Sequence, residues 1–259
     1  MPAPTPPPDR LTPTPGGPAG PPQGRRILAV GAHPDDVEFG CGGILIKEVA
    51  RGHTVTIVNL SRGESASHGT AEEREREAAA AASRMGVGLE FLDLDGDARL
   101  EDHPRNALEI ARAIRRLRPH FLLAPSPEEN QHPDHGKAGR LSRDAARLAR
   151  YGGVKEIGSL PAHAIDALFF YDITGTGTGA ALRHLAKIIV DISDVFETWR
   201  AAMECHASQM KTRNYVDLQV ARARVLGAEI GVAHAMAVWA NDPIRLQGLT
   251  DLGGSGRRF

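Results

Sequence analysis

Residues Arg26–Gly43 read RILAVGAHPDDVEFGCGG, and the fold follows from how this stretch is parsed. Ile27, Leu28, Ala29 and Val30 form a short apolar run that stops at Gly31, the pattern of a strand buried on both faces of a parallel sheet. Where the run ends, His33, Pro34, Asp35 and Asp36 put an imidazole and two carboxylates on the carboxyl-end loop, where open α/β sheets hold their ligands. Gly40, Gly42 and Gly43 then allow a tight entry into a helix continued by Ile44, Leu45 and Val49.

Outward from this unit the alternation repeats. Thr54 to Leu60 (TVTIVNL) is β-branched and apolar, a second strand that ends in the loop Ser61, Arg62, Gly63 and Glu64. Thr70 and Glu73 have the spacing of a capping box ahead of an Ala-, Glu- and Arg-rich helix running to Met85. Leu89 to Leu94 reads as a third strand followed by turn residues Asp95, Gly96 and Asp97, and Asn106 to Arg118 as an amphipathic helix that Pro119 ends. His120 to Ala124 is a fourth strand. Alternation of this kind predicts an α/β fold: a Rossmann-like three-layer sandwich with a mostly parallel sheet and its site at the strand carboxyl ends. Farther on, the pattern predicts helices over Ala138–Arg150, Val195–Met210 and Val216–Val238, and strands over Ile165–Tyr171 and Ile188–Ile192. Gly175, Gly177 and Gly179 alternate with Thr as a flexible connection; they lack the strand and helix spacing of a dinucleotide fingerprint.

Beyond the fourth strand lies a second polar cluster, Glu128, Glu129, Asn130, Gln131, His132, Pro133, Asp134 and His135. His-Pro-Asp alone is ordinary turn chemistry, and His103-Pro104 is a copy without a following acid. HPDD after one buried strand and HPDH after another say more, because parallel strands bring both loops to one rim. Two imidazoles and a carboxylate then suit zinc, with a fourth position open for water, the count of a catalytic site.

Composition narrows the function classes. A chain of 259 residues holds one sizeable domain, expected over residues 25–259. Residues 1–24 are dominated by Pro, Gly and Thr and are expected to form a disordered tail. A formal net charge of -1 offers no basic face for nucleic acid, so a small-molecule substrate is expected. Two cysteines, Cys41 and Cys205, make no disulfide framework or metal knuckle, which points to a reducing cytoplasm. No apolar run approaches the roughly 20 residues that span a bilayer, and no apolar signal-peptide core precedes the first strand.

GAHPDDVEFGCGG together with QHPDH resembles the LmbE-like, or PIG-L, family of metal-dependent N-acetylglucosaminyl deacetylases. SRGE, HGTAEER, LDLDGD, IRRLRPHFLLAP, VFETWRAAMECHASQMK and ARARVLGAEIGVAHAMAVW follow in the family's order, from about Arg26 to Leu252. The branch most similar is that of the bacillithiol-biosynthesis deacetylases, which implies N-acetylglucosaminyl-malate as the substrate. The resemblance implies His33, Asp36 and His135 as ligands of Zn2+, with Fe2+ or another divalent ion as alternatives. It implies Asp35 as the general base on the attacking water, and His132 as the group that stabilises the oxyanion or protonates the leaving amine. Asp134 is implied to accept a hydrogen bond from the His132 ring. Arg74 and Tyr215 match substrate-facing positions of the family, and Asp95 is a candidate for sugar contact. A trimeric or hexameric homo-oligomer is also implied.

This sequence departs from relatives at Ala164, where some carry a gating arginine, and at His68, where the common residue is Arg; both bear on substrate choice. His206 and Gln209 in ECHASQ lie one helical turn apart, a spacing that suits packing as well as function. Two other classes keep the same residues. Two histidines and a carboxylate also form the triad of non-haem iron oxygenases, which oxygen uptake would reveal. A metal-containing sugar-binding module without turnover would need no base at Asp35.

Overall fold

All four strands expected in the first half of the chain are present, and their pairing puts the two HPD loops side by side. The computed structural model describes residues 24–128, 132–173, 182, 184–211, 213–248 and 251. The Pro-rich stretch before Gly24, the 129–131 part of the second polar cluster and the Gly-Thr alternation fall outside the described residues.

Strands β1 (Arg26–Gly31), β2 (Thr54–Asn59), β3 (Gly88–Phe91), β4 (Phe121–Pro125) and β5 (Ala167–Tyr171) are parallel, and β6 (Ala186–Asp191) and β7 (Ala235–Ala240) complete a seven-stranded sheet of order β3-β2-β1-β4-β5-β7-β6. β7 runs antiparallel to both of its neighbours. Strand order reverses between β1 and β4, which pair in register from Ile27 with Phe121 to Ala29 with Leu123. A crevice opens at such a switch point, outside the carboxyl ends.

The doubly buried strands sort their side chains by parity. Leu28 and Val30 of β1 enter the core shared with α3 (Pro104–Leu117) and α4 (Pro133–Arg150), whereas Ile27 and Ala29 enter the core on the opposite face. That second core is roofed by α1 (Asp36–Ala50), α2 (Ala71–Met85), α5 (Phe196–Met203) and α6 (Tyr215–Ile230). The period of 2 along a strand forces this division and explains why the runs are apolar without alternation. The three layers match the expected architecture. Among the described residues, no helix is long and apolar enough to cross a membrane.

Two expectations of the second half need correction. Val216–Val238 is not one helix: α6 ends at Ile230, Gly231 caps it at φ 78°, and Ala235–Ala240 is the fully buried β7. The run AMAVWA is apolar at every position, so periodicity cannot tell a buried strand from a buried helix. Val195–Met210 likewise breaks into α5 and a separate 3-10 turn at Ala207–Lys211.

Gly40 shows how closely α1 sits on the sheet. A Cβ there would fall on the edge of the Tyr171 ring, whose hydroxyl donates to the Val30 carbonyl at 2.7 Å. Tyr171 is fully buried and cannot swing away. Gly40→Ala is expected to lower unfolding free energy by about 1–3 kcal/mol through overpacking, measured by urea denaturation; a change below about 0.5 kcal/mol would mean the layer yields there.

Candidate metal centre and catalytic pocket

The loop after β1 is short because α1 begins at Asp36, and the turn is made by Asp35 in the left-handed region at φ 102°. A non-glycine residue held there carries about 1–3 kcal/mol of strain, a feature that concentrates at functional sites. His132 is the N-cap of α4, with Pro133 in the first turn as that position favours. Its Nδ1 accepts the Asp134 backbone N–H at 3.3 Å, so the ring proton is assigned to Nε2.

The crevice brings His33, Asp36, His132, Asp134 and His135 together with Asp97, which enters from the turn after β3. Asp36 lies between two imidazoles: its Oδ2 accepts the His33 backbone N–H at 2.9 Å and is 3.6 Å from His33 Nδ1, while its Oδ1 is 3.1 Å from His135 Nε2. His33 Nε2 faces Asp97 Oδ1 at 3.0 Å and Asp134 Oδ2 at 3.5 Å. Ring centroids of His33, His132 and His135 are 4.6–5.4 Å apart.

Two overlapping groups have their donor atoms all within 4.8 Å: His33, His132 and His135, and His33, Asp97 and Asp134. The set His33, Asp36 and His135 rests instead on the two Asp36 contacts. A tetrahedral ion with bonds of about 2.0–2.2 Å spaces its donors about 3.4 Å apart, which the Asp36 contacts approach. Electrostatics also fit a cation. Burial alone would push His33 down, yet Asp134, Asp36 and Asp97 together raise it well above its ordinary value. Positive charge at this point therefore lowers the energy of the buried carboxylates, whether a proton or a metal supplies it.

Asp35 stands beside this cluster rather than in it. Burial pushes its carboxyl up to about 6, partly opposed by the Arg74 guanidinium and reinforced by Asp36. Arg74 is itself buried on α2; its Nη2 donates to the Pro34 carbonyl at 2.6 Å and to Asp35 Oδ2 at 3.3 Å, and its Nη1 donates to the Gly63 carbonyl at 3.1 Å. One arginine thus ties Asp35 to the loop after β2. His132 is pushed down from its ordinary value, by burial first and then by His33 and His135. It is a neutral N–H donor at neutral pH.

A cavity of about 300 Å³ opens over the cluster. Its lining is polar at Asp35, Arg74, Asp97, His132 and His135, apolar at Phe39, Ile173 and Tyr215, and completed by Ser65–His68 and Gln209. The Phe39 and Tyr215 rings stack at 6.0 Å. Tyr215 and Arg74 both line this cavity.

Asp95 does not. Its carboxylate accepts from the Glu101 N–H at 3.0 Å and from Arg105 and Asn106, so it closes a turn outside the cavity. Asp97, two residues on, lines the cavity instead. Asp134 also differs from expectation: its carboxylate faces His33 and, at 3.2 Å, Lys137, and only its backbone touches the His132 ring.

Sequence reasoning passed over two further groups. His206 and Glu38 form a pair with no solvent exposure behind the pocket wall, and Gln209 lines the pocket itself. Their partners are remote in sequence, so spacing within ECHASQ holds no signal of either contact.

Comparison with known proteins places this arrangement. Residues 28–146 match the PIG-L family model, described as GlcNAc-PI de-N-acetylase. The diacetylchitobiose deacetylase of Thermococcus kodakarensis is 32% identical over 198 residues, covering 71% of this chain and 70% of that protein. The 4-oxalmesaconate hydratase of Pseudomonas putida is 28% identical over 201 residues, 71% of this chain and 74% of its own length. Among solved structures, the conserved protein TT1542 of Thermus thermophilus superposes with a TM-score of 0.76 at 34% identity, covering 86% of this chain and 97% of that one.

Proposed function

This chain belongs to the PIG-L, or LmbE-like, family of de-N-acetylases, and from that premise we propose that it hydrolyses the acetamide of an N-acetylglucosaminyl conjugate in the pocket above the His33 cluster. The observation that carries the reading is the convergence of both HPD loops at the β1–β4 switch point, with Asp35 beside the cluster and an N–H donor at His132.

His33, Asp36 and His135 are assigned as the metal ligands. Asp36 has one oxygen toward each imidazole, whereas Asp97 spends its second oxygen on Ser65 N–H and Asp134 spends one on Lys137. A zinc ion held there would supply Lewis acidity and bring the pKa of water from 15.7 to about 7. Asp35, ionised at neutral pH, takes the proton of the attacking water. His132 Nε2–H faces the acetyl oxygen as negative charge develops on it, a donor that needs no reorganisation. Proton return to the leaving nitrogen completes the cleavage, giving acetate and a free amine. Arg74 keeps the Asp35 carboxylate turned into the pocket, and the Phe39–Tyr215 wall shields the acetyl group from bulk water.

The malate conjugate is the leading substrate on motif resemblance, beside a second sugar, as in the diacetylchitobiose deacetylase relative, or an inositol, as in the family description. Acetate release is the test, from N-acetylglucosaminyl-malate, N,N'-diacetylchitobiose, an N-acetylglucosaminyl-inositol and free N-acetylglucosamine. Turnover of the malate conjugate alone is expected; a different preferred conjugate keeps the chemistry and replaces the substrate. No acetate from any of them, with 4-oxalmesaconate hydrated instead, would overturn the amide-hydrolysis reading.

Metal loading has a readout apart from activity. Zinc at a hundred times its dissociation constant is expected to raise unfolding free energy by about 2.7 kcal/mol, and a chelator to remove that gain. His33→Ala should abolish the response. A zinc-independent unfolding curve in the wild type would count against the ligand assignment.

A further inference from the structure

We propose that Gln209 is a positioning residue for substrate selection, acting by holding the loop that forms the conjugate-facing wall of the pocket. The kinetic part of this inference rests on the deacetylase reading; its structural part does not.

The wall is the loop after β2, whose Ser65, Ala66, Ser67 and His68 line the cavity. Its near end is tied firmly. Ser65 N–H donates to Asp97 Oδ2 at 3.1 Å and Ser65 Oγ to the Asp97 carbonyl at 2.8 Å, while the Glu64 carboxylate accepts the backbone N–H groups of Arg62 and Asp97 at 3.0 and 2.9 Å. Toward its far end, His68 is tied by one side chain. Gln209 Nε2 donates to the His68 carbonyl at 2.8 Å, and no other hydrogen bond to the His68 backbone is found among the described residues.

Gln209 is in turn held from behind. Its Nε2 also donates to Ser208 Oγ at 2.9 Å, and Ser208 is gripped by Glu77 of α2, which accepts from the Ser208 N–H at 2.7 Å and from its hydroxyl at 2.6 Å. Gly69, at φ 83°, lies so close to Ser208 that a Cβ would come within 2.9 Å of its side chain. The loop is therefore pressed onto Ala207–Lys211 and latched by an amide that itself faces the cavity.

The histidines, Asp35 and Asp36 of the cluster come from the loops after β1 and β4, and the bonds that join them to the loop after β2, through Arg74 to Gly63 and through Asp97 to Ser65, lie at its near end, away from His68. Loss of the latch frees the wall while the cluster stays put. That division predicts an effect on substrate affinity, largest for conjugates that extend beyond the acetylated ring, and little on the chemical step.

The test is Gln209→Met, which keeps length and removes the donor, with Gln209→Glu, which sets a second acceptor against the carbonyl, as the alternative if the first does not fold. Amide exchange over residues 64–70 is expected to rise about tenfold, the equivalent of one ordinary hydrogen bond, with residues 33–50 and 71–85 unchanged. For the preferred conjugate KM should rise about tenfold with kcat within about twofold, and for free N-acetylglucosamine KM should rise less. Unchanged exchange in the loop, or a fall in kcat at constant KM, would overturn the proposal. If wild type releases no acetate, the functional reading fails, and local exchange still decides whether the latch exists.

Discussion

Asp35→Asn should fold, bind metal and release almost no acetate. Removing a general base is expected to lower kcat by about 10²–10⁴-fold. Asparagine isolates the proton chemistry here for a backbone reason. It is isosteric with aspartate and is among the residues that tolerate the left-handed region, so the φ of 102° that aims the side chain survives. Arg74 still finds an oxygen acceptor at that position and still holds Pro34 and Gly63. Acetate release under saturating substrate, beside metal content by mass spectrometry, makes the measurement. More than about a tenth of wild-type kcat in a metal-replete variant would remove Asp35 from the role of base, since the loss would lie below the range for general-base catalysis.

The second large effect is on stability. His206 and Glu38 have no solvent exposure, and His206 Nε2 is 3.3 Å from Glu38 Oε1. Removing the imidazole leaves a carboxylate in the core with no partner. His206→Leu is therefore expected to cost about 3–5 kcal/mol, while Glu38→Met combined with His206→Leu recovers most of it, because an apolar pair involves no desolvation. The dependence on pH has a definite sign. Burial alone would push His206 down, but the nearby charge of Glu38, and then that of Asp35, raise it above its ordinary value. A folded-state pKa above the unfolded value of about 6.5 means that the stabilisation is complete below about 6.5. It fades as pH rises through the folded value. The gap in unfolding free energy between wild type and His206→Leu should accordingly be widest in mildly acidic urea titrations and narrow toward alkaline pH. A gap that widens with pH would show that the imidazole is held neutral.

What the sequence disclosed depended on the range of the interactions involved. β1 and β4 were legible because doubly buried strands are written as local apolar runs, and the HPD loops because strand ends in such sheets meet at one rim. Asp97 was less legible. It and Asp95 share one turn and one residue type, and only the pairing of Asp95 with Arg105 and Asn106 shows which of them faces the pocket. The role expected of the Asp134 carboxylate failed for a related reason: His132 is a helix N-cap, so the backbone N–H of Asp134 occupies Nδ1. For β7, alanine-rich composition favoured helix, and tertiary burial between two strands overrode it. The contacts of His206 and Gln209 were not legible because their partners, Glu38 and His68, lie more than a hundred residues away.

The place of β7 has a consequence for synthesis. Among the described residues β6 pairs with no strand but β7, and β7 separates it from β5, although β6 leaves the ribosome more than forty residues earlier. Until Ala235–Ala240 has emerged, the edge of β5 has no neighbour and the residues of β6 have no sheet to join. A nascent or truncated chain ending within α6 would thus expose an apolar strand edge beside an unpaired apolar segment, the surface on which intermolecular pairing begins. Co-translational folding of this chain has to finish late, and premature termination in that interval should yield aggregates rather than a smaller working enzyme.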